Sequence, residues 1–263
     1  MSFPKKSLGQ NFLQDKNIVK KIINLVKIKN KNVIEIGPGN GALTDQIIKF
    51  APKTLFLIEK DFKLYDHLKL KFKNEKFVKV ICNDFLKFDF EKIIKKNTII
   101  FGNLPYNVSS QIFVKLLKCK LWPPKYSDLI LMFQKELGEK IIAKFPSSKY
   151  GRLSILTNLM LDLKKKFIVS PNCFKPIPKV KSVVLHFKPK PKKVVNLKSI
   201  SNLEKITNIL FSNRRKMINK SLKKILPEKL INSKLNDISL KMRPQELPES
   251  IYFRITSCYE SAK

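Results

Sequence analysis

Asn103-Leu104-Pro105-Tyr106 places together a side-chain amide, a backbone carbonyl held by the proline that follows it, and an aromatic ring. That set suits a planar base carrying an exocyclic amine. Such an amine is a poor nucleophile because its lone pair is delocalised into the ring. If the Asn103 side-chain oxygen and the Leu104 carbonyl accept its two protons, the nitrogen pyramidalises and aims its lone pair at an electrophile. Tyr106 would stack on the base, a contact worth about 1–3 kcal/mol. The chemistry indicated is methylation of an amino nitrogen. With an activated sulfonium methyl as donor no strong base is required, so a chain whose only histidines are His67 and His186 is not disqualified. Taken alone, the tetrapeptide reads better as a proline turn with a core tyrosine; the residues upstream of it decide.

Those residues fall at the ends of apolar runs. Residues 32–36 read as a first strand leading into Gly37-Pro38-Gly39-Asn40-Gly41, and residues 54–58 as a second that ends at Glu59, 22 positions after Gly37. A short third strand at 79–81 precedes Asp84, a fourth at 98–101 precedes the tetrapeptide, and 127–133 and 183–187 complete the set. Helical spacing of Leu43, Ile47 and Phe50 predicts a helix over 42–50, and Phe62, Tyr65, Leu68 and Phe72 give the inner face of another over 61–72. Strands alternating with helices imply an α/β fold with parallel strands. Ligands of open α/β sheets bind outside the carboxyl ends of the strands, so Gly37, Glu59, Asp84 and Asn103 are expected to share one site. Glycines admit a ligand close to the backbone, and an acid ending the second strand is the usual acceptor for ribose hydroxyls. The turn lacks the spacing that seats a pyrophosphate on a helix N-terminus. S-adenosyl-L-methionine, which has no phosphate, fits it better than a dinucleotide, and Asp84 can accept from its adenine amine.

Charge narrows the partner. Lys and Arg number 54 against 20 acidic residues, a net charge of +34, which favours a polyanion and most naturally nucleic acid. Residues 194–263 hold fourteen of the basic and six of the acidic side chains, so basic surface is general rather than a tail. Cys82, Cys119, Cys173 and Cys258 form no CxxC pair, which argues against a zinc site or a disulfide framework and predicts reduced thiols in a cytoplasmic protein without a metal. No apolar run reaches membrane-spanning length and no secretory signal is visible, so no membrane partner is expected, and monomer is the default. The alternation of Pro and Lys over 188–193 predicts an extended linker. Beyond it, Ser201 and Glu204 have capping-box spacing, and Leu203, Ile206, Leu210, Ile218, Leu222 and Ile225 recur at helical intervals, opposite a face of Arg214, Arg215, Lys216, Lys220, Lys223 and Lys224 that suits RNA.

With these residues in view the chain resembles the ribosomal RNA adenine N6,N6-dimethyltransferase family. The matching motifs are Leu8-Gly9-Gln10-Asn11-Phe12-Leu13, Glu35-Ile36-Gly37-Pro38-Gly39, the tetrapeptide, Tyr150-Gly151-Arg152-Leu153-Ser154, the segment 171–182, and Phe211-Ser212-Asn213-Arg214-Arg215-Lys216. Asn40 within the glycine turn and the scarcity of arginine depart from the pattern. The resemblance implies a Rossmann-like methyltransferase sheet over 1–190 and a small helical rRNA-binding domain over 194–263. It implies that Asn11, Leu13, Gly37, Glu59, Asp84 and Asn103 line an S-adenosyl-L-methionine pocket, and that Asn103, Tyr106 and Phe174 handle the target adenine, Phe174 closing over it as a second aromatic. The acceptor implied is 16S rRNA in an immature small ribosomal subunit, dimethylated at two adjacent adenines near its 3′ end, with a role in subunit biogenesis. A large-subunit 23S rRNA dimethyltransferase, a DNA adenine methyltransferase and a non-catalytic ribosome-assembly factor on the same scaffold stay open at this point. The leading motif and the segment 171–182 tell against the DNA enzyme, and the intact tetrapeptide tells against loss of catalysis.

Overall fold

A computed structural model of the chain describes residues 11–191 and 197–262. Leu8, Gly9 and Gln10 of the leading motif, and Lys192 and Lys193 of the expected linker, lie outside the described residues.

Five parallel strands make up one side of a seven-stranded sheet: β2 (Asn32–Ile36; a short β1, Phe12–Leu13, precedes it), β3 (Thr54–Glu59), β4 (Val78–Cys82), β5 (Thr98–Asn103) and β6 (Tyr126–Gln134). After β7 (Leu161–Val169) and the two-residue β8 (Phe174–Lys175), β9 (Ser182–Pro189) runs antiparallel to β6, and the order across the sheet is β4-β3-β2-β5-β6-β9-β7. Both faces of the inner strands are covered, which is why they read as unbroken apolar runs rather than alternating ones. On one face Val33, Leu55, Leu57, Ile99, Phe101, Ile130 and Met132 form a core with Val19, Ile22 and Ile23 of α1 (Lys16–Ile23). Each such side chain contributes roughly 1.5–3 kcal/mol on burial. Asp15 starts α1 by accepting from the amides of Asn17 and Ile18, at 2.8 and 3.0 Å.

The two helices expected beside the sheet form, with corrections. The first, α2 (Thr44–Ile48), is shorter than 42–50 because the glycine turn runs to Gly41, whose φ of +83° is not helical. In the second, α3 (Phe62–Lys71), the inner face is Leu64 and Leu68, continued by Phe72, whereas Phe62 is 65% exposed. Residues 64, 68 and 72 are each four apart and so stack on one side of a helix; Phe62 lies half a turn off that line.

The chain divides into two compact units, Met1–Gly138 with Asp162–Pro189, and Glu139–Leu161 with Lys190–Lys263. A single cut near 190 therefore does not describe the grouping: α6 (Arg152–Met160; α4, Ser109–Leu117, and α5, Lys135–Ile141, come before it) packs with α7 (Ile200–Phe211) and α10 (Glu249–Ser261). In that second unit the apolar periodicity spans two helices rather than one. Ser199, not Ser201, caps α7 by accepting from the Ser201 amide at 3.1 Å, and α8 (Asn219–Lys223) follows an exposed turn that carries Arg214, Arg215 and Lys216. Arg214 donates to the Ser148 carbonyl at 2.6 Å and to Gln245 Oε1 at 2.9 Å, which pins the turn. A further helix, α9 (Glu228–Lys234), completes the unit. No helix among the described residues is long and apolar enough to cross a membrane.

Candidate active site

Register brings the chemistry-bearing residues to one edge of the sheet. Ile36 pairs with both Ile58 and Gly102, and Glu59 pairs with Cys82, so the segments that begin at Gly37, Glu59, Asn83 and Asn103 leave the strands side by side. Between them opens a cleft enclosing about 910 Å³ of space, its open mouth included. Asn11, Leu13, Gly37, Glu59, Asn103 and Tyr106 line it.

Its floor is the glycine turn. Gly37, Gly39 and Gly41 all have positive φ, at +64°, +59° and +83°, a conformation that costs an L-residue roughly 1–2 kcal/mol. The turn is roofed by the N-terminal segment: a Cβ on Gly39 would stand 2.9 Å from the Phe12 ring. That segment is clipped down in turn, since β1 pairs with β8 and the Gln14 amide donates to the Cys173 carbonyl at 2.8 Å. Glu59 closes the back. Its Oε2 accepts from the Gly39 amide at 3.2 Å and its Oε1 from the Asp61 amide at 2.9 Å, while burial raises its pKa against those bonds.

At the acceptor end Asn103 Nδ2 donates to the Asn11 carbonyl at 3.0 Å. Only the amide nitrogen can donate to a carbonyl, so this bond fixes the side chain with Oδ1 as the acceptor. The Tyr106 hydroxyl and Ser182 Oγ are 2.8 Å apart, which anchors the half-buried ring to β9. Gly102 sets the approach to Leu104. A Cβ there would meet Leu104 Cδ2 at 2.7 Å, Leu131 Cδ2 at 3.2 Å and the Ile36 carbonyl at 3.4 Å. Leu104 is 1% exposed and cannot swing aside. Gly102→Ala is expected to displace Leu104 and its carbonyl, lowering stability by about 1–3 kcal/mol and kcat by more than about tenfold, as a small displacement of a positioning group does. Thermal melts and single-turnover rates check this, and wild-type turnover would refute it.

Two expected site residues stand apart from the lining. Asp84 lies just past β4, held at both oxygens: Oδ1 accepts from the Leu86 amide at 2.9 Å, and Oδ2 lies 2.9 Å from the ammonium of Lys60, a lining residue. The Lys60 bond is the main reason its pKa is lowered. Phe174 is 3% exposed, within the core cluster beside Val169 and Cys173 and paired across β8 with Leu13. Its neighbour Leu13 reaches the cavity and it does not, because burial of an aromatic ring in the core outweighs exposure at the cleft.

The sequence reading passed over Glu35 as a site residue, although it lines the cavity. An acid inside the apolar run of residues 32–36 was the available signal. It is 2% exposed, accepts from the Thr44 hydroxyl at 2.7 Å, and burial pushes its pKa up to about 8. The acidic and basic side chains of the lining are thus Glu35, which burial keeps protonated near neutral pH, Glu59, and Lys60, whose ammonium is paired with Asp84. The glycine cradle beside them admits a ligand close to the backbone, which fits a sulfonium nucleoside. No group of three or more His, Cys, Asp or Glu side chains suited to a metal occurs among the described residues.

Similarity to known proteins agrees with this geometry. The model of the ribosomal RNA adenine dimethylase family matches residues 1–260. A ribosomal RNA small subunit methyltransferase A of Pelagibacter ubique is 43% identical over 98% of this chain and 98% of its own. Among solved structures, a dimethyladenosine transferase from Plasmodium falciparum superposes with a TM-score of 0.74 at 26% identity, covering 93% of this chain and 95% of the other. A 23S rRNA methyltransferase, ErmE, superposes at 0.66 with 20% identity over 95% and 100% of the two chains, a likeness of fold. The chain belongs to the ribosomal RNA adenine dimethylase family, as an S-adenosylmethionine-dependent methyltransferase of Rossmann-like fold.

Proposed function

We propose that this enzyme dimethylates N6 of two adjacent adenines near the 3′ end of 16S rRNA, acting as a cytoplasmic monomer on an immature small subunit. The observation that carries the reading is the Asn103 amide, whose nitrogen is tied to the Asn11 carbonyl so that Oδ1 is left to accept from an amine. S-adenosylmethionine supplies an electrophilic methyl when bound. Gly37 and Gly39 would admit it to the backbone, Glu59 would accept from its ribose hydroxyls, and Asn11 and Leu13 would cover it. Asp84, kept ionised by Lys60, would accept from its adenine amine.

The target adenine must leave its stack to reach such a site. Asn103 Oδ1 and the Leu104 carbonyl then take hydrogen bonds from N6, which favours a pyramidal nitrogen, while the Tyr106 ring stacks on the base. Phe174 closing over the opposite face requires it to leave the core position it holds here. The exposed turn with Arg215 and Lys216 supplies phosphate contacts in the second unit. The small-subunit acceptor draws support from the 43% identical relative of that name.

Incubation with methyl-labelled S-adenosylmethionine and, separately, small subunits lacking the modification, large-subunit RNA and DNA tests the proposal. Label is expected as N6,N6-dimethyladenine in the small subunit alone. Label in large-subunit RNA would move the enzyme to the 23S class, and label nowhere would favour an assembly factor.

A further inference from the structure

Lys115 stands in the last turn of α4, the helix that begins at Ser109 just beyond the tetrapeptide. Its ammonium donates to three backbone carbonyls of one loop, those of Phe85 at 2.8 Å, Leu86 at 2.8 Å and Phe88 at 2.7 Å. An ammonium has three protons, so the loop takes all of them. Burial lowers the lysine's pKa, and the neighbouring Asp89 and Asp84 oppose that shift. A surface lysine ordinarily keeps its charge in water and its stem mobile. Here the stem is ordered and the charge is partly desolvated for the sake of the loop.

That loop is wound around Asp84. The amides of Lys87 and Phe88 donate to the Asp84 carbonyl at 2.8 and 2.9 Å, and the Leu86 amide to its carboxylate at 2.9 Å. Phe85 is buried, with its ring 5.4 Å from that of Phe90 and 5.5 Å from the Lys115 ammonium. Helix α4 therefore holds Tyr106 near its first turn, through the Ser109 hydroxyl bond to the Tyr106 carbonyl at 3.2 Å, and the Asp84 loop at its last turn. Lys115 itself does not line the cavity.

We propose that Lys115 is a positioning residue for the methyl donor: its three carbonyl bonds fix the Asp84 loop to α4 and so set the carboxylate at the adenine end of the site. The inference rests on reading Asp84 as the acceptor for the adenine amine. Because the tripod acts on the donor end, its loss weakens cofactor binding and leaves the chemical step largely intact.

Lys115→Met keeps the length of the stem and removes the donors. Titration calorimetry of the full chain with S-adenosylmethionine is expected to show Kd raised about tenfold, the scale of one charged hydrogen bond, with kcat at saturating cofactor within about twofold. Lys115→Gln, which retains amide donors for part of the tripod, is the second variant and is expected to fall between wild type and Met. Asp84→Asn alone should weaken binding to a similar degree, and the double variant Lys115→Met/Asp84→Asn should be no more than about twofold weaker than Asp84→Asn. Wild-type affinity in Lys115→Met or Lys115→Gln, with Asp84→Asn weakened, overturns the role of Lys115 and leaves the Asp84 reading standing. Wild-type affinity in Asp84→Asn overturns that reading and this inference with it. Effects that multiply in the double variant overturn action through Asp84.

Discussion

Asn103→Ala is expected to lower the single-turnover rate of methyl transfer by about a hundredfold to a thousandfold, the range found when one preorganised hydrogen-bonding group is removed from the position where charge develops. RNA affinity should change by less than about twofold, since phosphate contacts come from basic side chains elsewhere. The argument rests on orientation. With Nδ2 held 3.0 Å from the Asn11 carbonyl, Oδ1 is the only part of the side chain left to accept from a substrate amine. Asn103→Asp sharpens the test, because a carboxylate retains the acceptor but sets an oxygen against the Asn11 carbonyl. It too should lose most of its activity, whereas a residue needed only for bulk would tolerate it. Rates near wild type in the alanine variant would sink the assignment of Asn103.

The strand ends were legible because a parallel sheet covered on both faces writes each inner strand as an apolar run, and the residue that stops the run is the one left facing the cleft. Glu59 and Asn103 stand out for that reason, and the register places them beside Gly37. Strand β7 was not legible: with Leu163, Lys164, Lys165 and Lys166 exposed at the sheet's edge, its sequence carries neither alternation nor an apolar run. The three-carbonyl bond of Lys115 was equally hidden, because its acceptors are backbone atoms and nothing in the identities of Phe85, Leu86 and Phe88 announces them. Phe62 misled for the opposite reason. Hydrophobic identity suggested an inner face, but helical phase is set by Leu64 and Leu68, and a single exposed aromatic is tolerated. Phe174 shows where motif and packing part. Its segment does close the N-terminal strand over the glycine turn, yet the ring itself belongs to the core.

Glu35→Gln is expected to flatten the pH dependence of stability. Glu35 is fully buried, and burial, opposed by the Thr44 hydroxyl and reinforced by Asp45 and Glu59, raises its pKa from an ordinary 4.5 to about 8. Between those values the folded protein keeps a proton that the unfolded chain has already released. Stability from this group is therefore fully present below about pH 4.5 and is lost as pH climbs through 8. Each unit of displacement is worth about 1.4 kcal/mol, so from pH 5.5 to 8.5 the wild type should lose ~3 kcal/mol through Glu35. For a chain of this size that corresponds to a Tm lower by roughly 6–12 °C. Glutamine reproduces the neutral acid: it can accept from Thr44 Oγ1 and never ionises. The variant should match wild type near pH 5.5 and exceed it at pH 8.5, with a residual slope from Glu59, whose pKa burial also raises. Calorimetric melts at the two pH values decide the matter. If the variant keeps the wild-type slope, Glu35 is already ionised in the fold, and the neutral carboxyl inferred at the cavity wall is not there. If the slope flattens, Glu35 is a neutral carboxyl at the cavity wall, and that part of the wall becomes anionic only when pH rises.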